Sequence, residues 1–221
     1  QDAGLPPGVV NFLTGSGGTI GNLLVEHPKV RFISFTGSKE VGLHIVEEAA
    51  RPRPGQIWIK RVVAEMGGKD FIIVNEDADI EAAIEGVITS AFGYQGQKCS
   101  ACSRLILHEK IYSDFIARLT ERAAGLRVGP AMDPSSQMGP VINKNAMQSI
   151  LRYIEIGRKE GNLVTGGGTA GEEGFYIQPT IIVDVEPSAR IAREEIFGPV
   201  LAVLRATDME HAIEIANDSE Y

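Results

Sequence analysis

Short apolar runs alternate along the chain with stretches in which apolar positions recur every three or four residues. Val9–Leu13 reads as a buried strand, Arg31–Phe35 as a second and Trp58–Ala64 as a third, each rich in β-branched or aromatic residues. Gly15–Gly18 turns into a helical segment, Ile20–Glu26. Ser38 is placed to cap a helix running through Ala50, which Pro52 and Pro54 end. Strands and helices alternating at this spacing predict a parallel sheet with crossover helices.

A new unit begins after Lys69. Phe71–Val74 is strand-like, and a helix from about Ala78 carries Ile80, Ile84, Val87, Ile88 and Ala91 on one face. Leu105–Leu107 is a strand, and Ile111, Phe115 and Leu119 stripe the next helix. Asn143–Lys159 is a helix with Ile150, Leu151 and Ile154 turned inward. Thr165–Gly168 and Gly171 read as loop, and Tyr176–Val185 and Val200–Leu204 as strands. Thr207, with Glu210 three residues on, has the pattern of a capping box for a last helix. The pattern gives two α/β units with a boundary near residues 65–70.

Composition narrows the class. The chain has 221 residues, 43% hydrophobic and 23% charged, as an α/β protein with a substantial core requires. A net charge of -8 argues against non-specific nucleic-acid binding, which needs Lys and Arg to neutralise phosphates. No apolar run reaches the roughly 20 residues that cross a bilayer, so no membrane partner is expected. The two cysteines, three positions apart, make no disulfide framework, and a reducing, cytoplasmic setting is expected, or the mitochondrial matrix in a eukaryote. Gln1 is no initiator methionine and Tyr221 closes a helical pattern without a tail, so the stretch reads as a piece of a longer polypeptide.

The candidate chemistry centres on Cys99. It stands where a helical pattern gives way to a strand, with Lys98 beside it and the small residues Gly96, Ser100 and Ala101 around it. A neighbouring cation favours the nucleophilic thiolate. The residues alone leave a reactive thiol and a buried structural one as alternatives. Cys102 completes a C-x-x-C, but a helix precedes it where a redox dithiol follows a strand, and the scattered histidines supply no metal set. Glu65, ending an apolar strand, suits a general base or simply a solvated strand end. Gly37 and Gly42 around Ser38 suit either a phosphate-binding helix start or a plain turn. Glu194–Pro199 reads as an acidic loop with a buried Phe197.

Taken together, Phe35–Ser38 with Gly42, Glu65–Lys69, Gly96–Cys99 and Glu195–Pro199 resemble the aldehyde dehydrogenase superfamily, in family order. The 34-residue step from Glu65 to Cys99 is also similar to the family's. The resemblance implies an α/β fold: the C-terminal part of a Rossmann-like NAD-binding domain over residues 1–66, then most of a catalytic domain over 67–221. It implies that Cys99 attacks an aldehyde carbonyl to give a thiohemiacetal. Loss of hydride to the nicotinamide of NAD, or NADP, then leaves a thioester, and Glu65 activates the water that hydrolyses it. Ser38, with Gly37 and Gly42, would serve the cofactor pyrophosphate, and Glu195 the nicotinamide ribose. Phe197 would pack near the ring, where Met66, Gly67 and Gly68 pass close.

The run Gly96–Arg104 and the segment Pro54–Arg61 are more narrowly similar to 1-pyrroline-5-carboxylate dehydrogenases. That implies glutamate γ-semialdehyde as the small-molecule substrate, with Ser100 and Lys98 meeting its carboxylate, and a homo-oligomer for the whole protein. Another carboxylated semialdehyde, or an interaction module without activity, are the other readings. Family parts that would lie before Gln1 and after Tyr221 lead us to expect poor cofactor binding and little turnover by this stretch alone.

Overall fold

A computed structural model describes residues 3–171 and 173–221. The chain divides into two compact units, Gln1–Gly67 and Gly68–Tyr221. In the first, a π-helical turn (Gly17–Gly21) leads into α1 (Asn22–Glu26), β1 (Phe32–Thr36), α2 (Lys39–Ala50) and β2 (Arg61–Glu65). β1 and β2 pair in parallel, Phe32 opposite Arg61 and Thr36 opposite Glu65, with α2 as the crossover. Ser38 caps α2, its hydroxyl accepting from Val41 N at 3.4 Å. Ile45 and Ala49 of α2 pack with Val25 against Ile33, Phe35 and Val62.

Two expectations fail in this unit. Val9–Leu13 is exposed and forms no strand. An extended segment becomes a strand only where a neighbour supplies its hydrogen bonds, and no described residue does so here. β2 starts at Arg61, not Trp58. Trp58 leaves the ladder to donate its indole N–H to Val30 O at 3.3 Å, with the Arg31 guanidinium 4.8 Å over its ring.

The second unit is a five-stranded sheet in the order β3-β4-β7-β6-β5. Its strands are β3 (Phe71–Val74), β4 (Arg104–His108), β5 (Asn162–Thr165), β6 (Thr180–Val183) and β7 (Val200–Ala206). β3, β4, β7 and β6 are parallel, and β5 pairs with β6 antiparallel. Helices α3 (Ile80–Phe92), α4 (Tyr112–Ala124), α5 (Lys144–Glu160), α6 (Arg190–Arg193) and α7 (Met209–Asn217) cover both faces. Strand alternation divides the core: Leu105, Leu107, Leu201 and Val203 meet α3 and α4, while Ile106, Ala202 and Leu204 meet α5, α6 and α7. Burial on both faces explains why the central strands read as continuous apolar runs.

β5 was not foreseen, because four residues of mixed polarity carry no strand signal of their own. The strand expected over Tyr176–Val185 shortens to Thr180–Val183, since Pro179 has no N–H for a ladder. The last helix is capped by Asp208, which accepts from His211 N at 2.8 Å, and not by Thr207. Thr207 Oγ1 pairs instead with His211 Nδ1 at 3.2 Å. Leu151 is only partly buried, unlike Ile150 and Ile154. Among the described residues no helix is long and apolar enough to cross a membrane.

Candidate active site

The parallel register sets three loops side by side. Phe71 of β3 lies opposite Arg104 of β4, and Arg104 opposite Ala202 of β7. Gly68, Cys99 and Glu195–Gly198 therefore all lead into the amino ends of neighbouring strands. Their contact is close enough to exclude side chains. A Cβ on Gly68 would stand 2.5 Å from Cys99 O, and one on Gly96 only 2.3 Å from Gly198 O. These glycines are bare so that the backbones can touch.

The turn after α3 departs from helix geometry before it reaches Cys99. After α3, Tyr94 (φ 54°) and Gln95 (φ 59°) are left-handed, and Gly96 follows at φ 66°. Two successive non-glycine residues in this region cost about 1–3 kcal/mol each and persist only where the surroundings hold them. Both glutamines of the turn supply that hold. Gln97 Oε1 accepts from Ile142 N at 3.0 Å, and Gln95, with its amide in the orientation that satisfies both neighbours, accepts from Gly139 N at 2.9 Å and donates to Tyr94 O. Cys99 ends up exposed, with Lys98 and Ser100 exposed beside it. Among the described residues nothing buries the Cys99 thiol.

Cys102 is the buried one. Its N–H donates to Ser90 Oγ at 3.1 Å and its thiol to Arg104 O at 3.3 Å. Burial pushes this thiol up to about 12, so it stays protonated and inert, unlike the partner a redox dithiol requires.

Glu195 is half-buried and its Oε1 accepts from Gly68 N at 3.2 Å. Its neighbour Glu194 turns away, taking both Arg190 nitrogens at 2.8 and 2.9 Å and the Tyr153 hydroxyl at 2.7 Å. The hydrogen bond from Arg190 comes first among the causes that hold the Glu194 carboxyl below its usual range. Phe197 is exposed and left-handed at φ 55°, not the buried aromatic that the loop's pattern suggests.

Beneath these loops lie two buried cations that sequence reasoning missed. Arg104 is 2% exposed and donates to Lys69 O, Ile215 O and Ala216 O at 2.9–3.0 Å, joining the start of β3 to the end of α7. Lys69 is also 2% exposed. Burial pushes its ammonium down to about 7, Arg104 adds repulsion, and Glu195, Cys102 and Glu194 pull it back up. An arginine opening the apolar run Leu105–Leu107 is the signal that would have marked Arg104.

In the first unit, Glu65 is exposed at the end of β2, and its carbonyl accepts from Gly37 N at 3.0 Å. Gly37 and Ser38 thus sit beside Glu65 at the carboxyl edge of the two strands. Gly42 lies a turn into α2, where a Cβ would meet Met66 Sδ at 2.6 Å. Its bareness makes room for Met66, so in this unit it serves packing.

The sequence profile of the aldehyde dehydrogenase family matches residues 1–221. The chain belongs to the aldehyde dehydrogenase family. Among its relatives is a 1-pyrroline-5-carboxylate dehydrogenase of Geobacillus sp. (strain WCH70), 55% identical over all of this chain and 43% of that protein. A crystal structure of 1-pyrroline-5-carboxylate dehydrogenase from Thermus with bound NAD superimposes with a TM-score of 0.97 at 55% identity, covering 100% of this chain and 42% of that one. Proline utilization A from Bdellovibrio bacteriovorus gives 0.97 at 47% identity, covering 100% of this chain and 23% of that one. This aldehyde dehydrogenase chain spans about 43% of the length of the curated relatives it matches.

Proposed function

We propose that the protein carrying this chain oxidises glutamate γ-semialdehyde, the open form of 1-pyrroline-5-carboxylate, to glutamate with NAD. The observation that carries this reading is Cys99. It is an exposed thiol on a strained turn, locked against Gly68 and the Glu195–Gly198 loop, in a chain 55% identical to enzymes named for this reaction. Preorganisation of this kind is what an attacking group needs.

The residues suit a dinucleotide. Glu195 offers a carboxylate to sugar hydroxyls, Ser38 stands at a helix start of the kind that binds phosphate, and Gly68 presents bare backbone. When bound, the dinucleotide supplies the hydride acceptor. Cys99 Sγ attacks the aldehyde carbon and forms a thiohemiacetal; oxidation at that carbon leaves a thioester on the same sulfur. Glu65 takes a proton from the water that cleaves the thioester, releasing the carboxylic acid and the thiol. Ser100 and Lys98 offer a hydroxyl and an ammonium to the α-carboxylate of the substrate. NADP in place of NAD is the second cofactor reading.

The test follows NAD reduction by the full-length protein with glutamate γ-semialdehyde and with an unbranched aliphatic aldehyde, in wild type and Cys99→Ala. Strong preference for the semialdehyde is expected, with a loss of ~10³-fold or more on substitution. Equal rates on the two aldehydes would overturn the substrate. Activity that survives Cys99→Ala would overturn the mechanism.

A further inference from the structure

The backbone through Cys99 is anchored on both sides by side-chain hydrogen bonds that leave the thiol itself free. On the entry side, Gln97 Oε1 accepts from Ile142 N at 3.0 Å, 45 positions along the chain. The Gln97 amide N–H donates to Tyr94 O at 3.1 Å and closes the left-handed turn. On the exit side, Ala101 N donates to Lys98 O at 3.2 Å, so Cys99 lies inside a tight turn. Ser90 Oγ of α3 then accepts from Cys102 N at 3.1 Å. The segment that Gln97 grips is itself fixed. Val141 is buried and donates its N–H to Phe175 O at 2.9 Å, and Asn143 caps α5, whose Ile150 and Ile154 are buried in the core. Ile142 stands at the surface, where its N–H has water to fall back on, so α5 gains little from the bond. What the bond fixes is the turn.

We propose that Gln97 and Ser90 are positioning residues for Cys99, fixing the backbone on either side of it so that its sulfur meets the aldehyde carbon in one geometry. The proposal rests on the reading of Cys99 given above. Tyr94 and Gln95 hold left-handed backbone at φ 54° and 59°, which relaxes once the entry bond is lost. Cys99 O already lies against Gly68, where a Cβ would stand 2.5 Å away. The turn therefore cannot shift as a body, and the relaxation falls on the residues around the sulfur. A misplacement of about 1 Å is enough to cost about 10²-fold in rate.

Steady-state kinetics of the full-length protein with NAD and glutamate γ-semialdehyde, alongside thermal unfolding, test this. Gln97→Met keeps the volume and removes the acceptor. Its kcat is expected to fall about 10²-fold while KM for NAD stays within about threefold. The unfolding midpoint is expected to change little, since one neutral hydrogen bond contributes little net stability. Gln97→Glu, which keeps an acceptor for Ile142 N, is expected to recover most of the lost kcat. Ser90→Ala releases the exit anchor and is expected to lower kcat about tenfold with the same unchanged KM for NAD. Wild-type kcat in Gln97→Met, a loss carried by KM in place of kcat, or a Gln97→Glu enzyme as slow as Gln97→Met would each overturn the proposal. If Gln97→Met does not fold, Ser90→Ala decides by the same split. Cys99→Ala is the control. Turnover that survives it overturns the reading of Cys99 and this proposal with it. Turnover lost in Cys99→Ala but intact in Gln97→Met overturns the positioning role alone.

Discussion

Gly96 matters through an atom it lacks. Its backbone is left-handed at φ 66°, and a Cβ would fall 2.3 Å from Gly198 O and 3.0 Å from Ala91 O. Gly96→Ala is expected to cost about 1–2 kcal/mol from the left-handed backbone alone. The collision adds more, because backbone atoms on both sides have little room to retreat. Thermal unfolding and kcat/KM of the full-length variant check this, with both expected to fall; an unchanged pair would show that the two loops do not touch in solution. Cys99 and Glu195 stand out in the sequence as residue types in a familiar order. Lys69 and the two glutamines do not. Whether a lysine is buried depends on β4 and the loop before β7, and Gln95 and Gln97 take their partners from Gly139 and Ile142, far along the chain.

Helix starts were the most readable elements, because a cap acts within three residues. Ser38 bonds the amide of Val41, as its position before an apolar stripe predicts, while Asn143, read as the first helical residue, is the cap of its helix and bonds the amide of Ala146. Asp208 displaced Thr207 because two oxygen-bearing side chains stand together there and local pattern cannot rank them. β5 and the missing strand at Val9–Leu13 are the opposite case, since a strand is a property of a pair. Arg104 is where elements depend on one side chain: β3, β4 and α7 all meet at its guanidinium. Arg104→Met keeps most of the volume but strands three carbonyls, at an expected cost of roughly 3–5 kcal/mol. Urea denaturation of the full-length variant measures it, and a loss below about 1 kcal/mol would show that the carbonyls find water instead.

At the scale of the whole molecule, buried titratable groups make stability depend on pH. Lys69 has its proton affinity lowered from the ordinary lysine value of 10.5 to about 7 on folding. Between those two values the unfolded chain binds the proton and the folded chain does not. The contribution of Lys69 to stability therefore rises with pH through that window. Cys102 acts in the opposite sense above pH 9, because burial raises its thiol to about 12. Comparing Lys69→Met with wild type by urea denaturation at about pH 7 and about pH 9.5 isolates the lysine. The variant's advantage is expected to shrink at the higher pH, and a difference that does not change with pH would contradict this assignment. The alternation of strands and helices was legible from periodicity alone, because it reflects burial on one or two faces. The meeting of three loops at Gly68, Gly96 and Gly198 was not, because sheet order and register create it.

One sulfur of this chain faces solvent and the other is buried just ahead of β4. A small thiol reagent should therefore modify Cys99 alone in the native state and Cys102 only after unfolding. The ratio of the two modifications becomes a tally of intact sites, readable by mass spectrometry in any preparation, whether or not a substrate is at hand.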